Sequence, residues 1–140
     1  MCWKCCTCGD DVPEDDGVLP IDIAQILRTF NDDTAFVVSM VRESLKEFKS
    51  QMDFITESLR RRDYDKIRTS AHNLMGWSAN ATCLSLAARA RDLEDYVINS
   101  TIDIPRINVL IARTQDEVTR VTYCVESNSL FTAAMNNMRA

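Results

Sequence analysis

From residue 20 onward, apolar residues return every three to four positions, and the runs that keep this period are separated by short polar breaks. After Pro20, the positions Ile23, Ile26, Leu27 and Phe30 follow i, i+3, i+4, i+7, which predicts a short amphipathic helix capping one end of a domain. Asn31, Asp32 and Asp33 supply capping side chains for a much longer helix, whose stripe runs Phe36, Met40, Val41, Leu45, Phe48, Met52, Ile55 and Leu59. The run Arg60-Arg61-Arg62-Asp63 ends it, with cations at the negative end of the helix dipole; a phosphate-binding patch is the alternative use of these arginines. A third helix starts at Asp63 and ends near Asn80, with Tyr64, Ile67, Ala71, Leu74 and Ser78 along one side. The fourth carries Cys83, Leu86, Ala87, Ala90, Leu93 and Val97, closed by Asn99-Ser100-Thr101. The fifth has Asp103 as cap, Pro105 in its first turn where a missing N–H costs little, and the stripe Ile107, Leu110, Ile111, Thr114, Val118, Val121 and Val125.

Each of the four long segments has one apolar stripe and short connections to its neighbours, so consecutive helices run antiparallel and bury their stripes together. The expected fold is all-α, an up-down antiparallel four-helix bundle with a short additional N-terminal helix. A hydrophobic fraction of 46% with only three glycines and three prolines agrees with long helices, and 140 residues suit one domain. The organisation expected is a flexible Cys-rich and acidic leader over 1–19, the bundle over 20–126, and a tail over 127–140 that extends the last helix or binds back onto the bundle.

A net charge of -5 and a pI near 4.8 argue against nucleic acid as a partner. No apolar run approaches the roughly 20 residues that span a bilayer, and the N-terminus lacks the apolar core of a signal peptide. The expectation is a cytoplasmic chain, with a nuclear population also compatible. The stretch MCWKCCTC places Cys2, Cys5, Cys6 and Cys8 together. Three explanations stay open: a zinc site, for which seven residues leave little backbone to wrap an ion; reversible palmitoylation, which would add peripheral membrane contact; and a tail with no fixed role. Cys83 and Cys124 fall within helical patterns, where cysteine is usually a small core residue.

The chain's one histidine, His72, lies in AHNLMGWSANAT, residues 71–82. At about 100° per residue with Ile67 as zero, His72 falls near 140°, on the outward side with Asp65, Thr69, Gly76 and Ala79, with Arg68 and Met75 at the margin. The imidazole is therefore expected in solvent, in the middle of a helix that the bundle holds rigid. A lone histidine without a second histidine or a cysteine on its face makes a poor metal site, so no metal is expected. Nor does spacing place a base or nucleophile beside it for hydrolytic chemistry. A neutral exposed imidazole remains a good nucleophile and can accept a phosphoryl group directly. Gly76, one turn on, costs a helix about 1 kcal/mol relative to Ala and leaves room for a partner's active site to approach. Arg68, one turn before, can pair with a phosphoryl group or serve only as a solvated surface cation.

The segment AHNLMGWSANA, the long helix before it and the LAARARDLE helix after it resemble a histidine phosphotransfer (HPt) domain of multistep phosphorelays, over roughly residues 20–125. That family's motif is a histidine, any residue, leucine, lysine, glycine, any residue and serine; here His72, Leu74, Gly76 and Ser78 match in register. The resemblance implies a stoichiometric phosphoryl carrier rather than an enzyme. His72 would accept phosphate from the receiver-domain aspartate of a hybrid histidine kinase and pass it to a response-regulator aspartate. It implies no cofactor on this chain, Mg²⁺ on the partner receiver, and a monomer. It also implies a receiver-docking rim of Asp65, Thr69, Met75, Ala79 and parts of the first short helix. Two positions depart from the family pattern: Met75 stands where the lysine is expected, and the glycine usual in the following turn is replaced around Thr82. Arg68 is the candidate to supply the missing charge. A phosphotransfer-impaired docking module is the alternative that Met75 permits. No glycine-rich phosphate loop is present, so kinase activity of its own is not expected.

Overall fold

The computed structural model describes residues 19–129 and 131–133. Five helices follow one another: α1 (Ile23–Thr29), α2 (Thr34–Arg60), α3 (Tyr64–Asn80), α4 (Leu84–Asn99) and α5 (Ile104–Glu126). Strands are absent among the described residues. Consecutive long helices pack side by side and α2 also meets α5, which closes an antiparallel four-helix bundle. The cysteines of MCWKCCTC lie outside the described residues, as do residues 134–140.

Local chemistry sets each helix start. Asp22, Asp33 and Asp63 are the N-caps of α1, α2 and α3, and their carboxylates accept from the amides of Gln25, Phe36 and Lys66. Asp103 occupies the same place before α5 but makes no side-chain cap bond; Pro105 in the first turn removes one donor that would need it. The helix ends share another device. Asn31, Arg62 and Thr82 all have φ between 54° and 58°, and in each turn the next residue's amide reaches back five residues to a carbonyl.

The core is continuous through Val38, Val41, Phe48, Met52 and Ile55 of α2, Ile67, Ala71 and Leu74 of α3, Leu86, Ala90 and Leu93 of α4, and Ile107, Val118 and Val121 of α5. Each large aliphatic or aromatic side chain so buried contributes about 1.5–3 kcal/mol. The hydroxyls of Ser44, Ser78 and Thr114 also point inward, and each donates to the carbonyl four residues earlier, so none is left unsatisfied.

Phe36 departs from the predicted stripe: it is 47% exposed, and Val37 and Val38 take the buried positions. Its ring leans on Phe30 at 4.9 Å between centroids, so the first turn of α2 meets the end of α1 instead of the bundle interior. Glu117, which the apolar pattern passes over, is buried and receives a hydrogen bond from Arg120. After α5 the helix breaks at 127–128, residues 129 and 131–133 are again helical, and Phe131 is fully buried against the core.

Candidate functional site

α3 positions His72 through its opposite face. Ile67, Ala71 and Leu74 are fully buried, which fixes the helix's rotation and turns position 72 outward. The His72 side chain is 61% exposed. Asp65, Arg68, Thr69, Gly76 and Ala79 are exposed as well, while Met75 is half-buried and packed against the core. The predicted outward face is therefore present residue for residue.

One contact lay beyond the periodicity. Glu94 of α4 brings Oε2 to 3.0 Å from His72 Nδ1 across the α3–α4 interface, and its side chain is only 14% exposed. Spacing places no base beside the imidazole, but the packing of α4 on α3 brings one there. A carboxylate can only accept, so in the neutral imidazole Nδ1 carries the proton and Nε2 keeps the lone pair. Glu94 also fixes the ring's rotation. The spacing of either helix alone does not reveal it: Glu94 follows core residue Leu93 at the edge of the buried stripe of α4, and only the packing of α4 on α3 brings it to the ring.

Beside the imidazole lies an open groove of about 350 Å³ lined by His72, Asn73, Gly76, Trp77 and Asn80. A Cβ built on Gly76 meets no atom within 4 Å, so nothing in the folded chain requires glycine there. Arg68 and Met75 do not line this groove, nor do Asp65, Thr69 and Ala79. Asn73, Trp77 and Asn80 were not singled out by the sequence, although Asn73 and Asn80 share a face with Gly76 at i−3 and i+4. Ser78, the last match to the HPt motif, is buried and bonded to Leu74, so its part is internal to the helix.

No group of three or more histidine, cysteine, aspartate or glutamate side chains among the described residues is arranged to hold a metal. None of the helices described is long and apolar enough to cross a membrane. Chemically, the site offers one oriented nitrogen nucleophile, a largely covered carboxylate behind it and clear space in front of it. No family model, curated protein or solved structure matches the chain.

Proposed function

We propose that the chain is a histidine phosphotransfer protein: His72 accepts a phosphoryl group from a receiver-domain aspartate of a hybrid histidine kinase and passes it to the aspartate of a response regulator. The observation that carries this proposal is the exposed imidazole whose Nδ1 is held by Glu94, beside a glycine that the fold itself does not need. The Nε2 lone pair attacks phosphorus in line, the P–N bond forms as the P–O bond to the aspartate breaks, and that aspartate leaves as a carboxylate. Nδ1 keeps its proton throughout, and the Glu94 carboxylate faces the positive charge that develops on the ring. The reverse sequence delivers the group to the next receiver. Mg²⁺ belongs to the receiver, and this chain contributes position and orientation. A cytoplasmic location follows from such partners.

Met75 favours a second reading, a docking module impaired in transfer, because its half-buried thioether supplies no cation to the phosphoryl group. Incubation with a ³²P-labelled phospho-receiver separates the two. Acid-labile label appearing on the wild type but not on His72→Gln supports the carrier; stable binding without label transfer supports the docking module.

A further inference from the structure

Resting on the phosphotransfer proposal, we propose that the groove across Gly76 receives an extended backbone segment of the receiver, hydrogen-bonded by the side-chain amides of Asn73 and Asn80. Both asparagines are exposed and line the groove with His72. Among the described residues neither amide side chain has a hydrogen-bond partner. Each presents one carbonyl acceptor and an NH₂ donor, the complement of a peptide unit. They lie seven residues apart on α3, a rise of about 10.5 Å at about 1.5 Å per residue. Three residues of extended chain span about 10 Å, so two peptide groups of one strand-like segment match the two amides in register.

The floor between them is Gly76, where the missing Cβ lets a backbone approach closely. Half-buried Trp77 forms the wall and gives an apolar surface to one of the segment's side chains. Apart from His72, where the phosphoryl group is received, the lining carries no ionisable side chain, so a neutral backbone suits the rest of the groove. Recognition chiefly through main-chain groups places little demand on the identity of the partner's side chains. That property suits a carrier that must engage one receiver as donor and a different one as acceptor.

The test uses the full chain carrying Trp3→Phe, which leaves Trp77 as its one indole, titrated with an isolated receiver domain of a hybrid histidine kinase. Trp77 emission is expected to report binding, and Asn73→Ala with Asn80→Ala is expected to weaken Kd at least about tenfold, as the loss of two hydrogen bonds implies. Phosphoramidate, a small donor that needs no docking, should load His72 equally in both forms. An unchanged Kd in the double variant overturns the groove assignment. So does a parallel loss of phosphoramidate loading, which would place the amides at the imidazole itself. Emission that depends on concentration without receiver assigns the groove to a second copy and also overturns it. Asn-dependent binding without phosphoryl transfer to wild-type His72 supports the groove and removes the carrier proposal, whereas no receiver binding at all removes both.

Discussion

Gly76 sits inside α3, where glycine costs a helix about 1 kcal/mol relative to alanine, and a Cβ there would meet nothing in the folded chain. Gly76→Ala should therefore raise the stability read from urea denaturation by about 1 kcal/mol while slowing phosphoryl transfer from a receiver about tenfold or more; equal transfer rates would mean that the glycine leaves room for no partner. Glu94 makes the opposite demand. Glu94→Gln keeps an acceptor for the Nδ1 proton and should retain much of the transfer rate, whereas Glu94→Ala frees the ring and should lower the rate about tenfold, a cost of about 1.4 kcal/mol in the barrier. Nitrogen-15 spectra of His72 give an independent reading, since the fraction of the ring protonated at Nδ1 should fall in the alanine variant. His72's exposure was legible in the sequence because Ile67, Ala71 and Leu74 fix where every residue of one helix faces. Its bond to Glu94 was not, because contact over 22 residues depends on the register between two helices, which the period of either one does not contain.

At the scale of elements, the turns at Arg62 and Thr82 solve one problem with different side chains. Both hold a non-glycine residue in the left-handed region, at φ 57° and 58°, which costs about 1–2 kcal/mol for a residue with a Cβ. The exposed Arg62 makes no side-chain bond among the described residues, so Arg62→Gly should stabilise the bundle by up to about 1 kcal/mol. Thr82 is different because its Oγ1 accepts the amide of Asp22 at 3.1 Å and ties the start of α1 to the α3–α4 turn. Thr82→Gly should thus gain less than Arg62→Gly, or lose stability outright, as denaturant midpoints of the two variants will show. The glycine expected at this turn is replaced by a residue that exchanges conformational ease for a tether. The helices themselves were legible to within a residue or two, since caps and stripes are local. Phe36 was misplaced because the stripe alone does not reveal that α1 delivers Phe30 to that side of the long helix.

For the molecule as a whole, two titrating groups predict opposite limits of pH. The Arg60 guanidinium and then that of Arg61 hydrogen-bond the Glu57 carboxylate and lower its pKa to about 2. Its folded value lies below the unfolded one, so its contribution is present above about pH 4.5 and is lost as the pH falls toward 2. Glu57→Gln should flatten the acid limb of a stability-versus-pH curve, only slightly, because the pair is exposed to solvent. Burial, with smaller contributions from Cys124 and Glu117, pushes the Cys83 thiol up to about 12. The folded state therefore favours the protonated thiol, a stabilisation complete below about pH 9 and eroded at higher pH. Iodoacetamide at pH 8 should leave Cys83 unmodified in the native chain, as peptide mass spectrometry reads it, and alkylate it once urea opens the core. Rapid native labelling would mean that this end of the bundle breathes freely. The reach of Glu94 across to the imidazole has a further consequence: the aim of the nucleophile belongs to two helices together. Warming that loosens their seam should misdirect the ring and abolish the proposed phosphoryl transfer at temperatures where circular dichroism still records every helix intact.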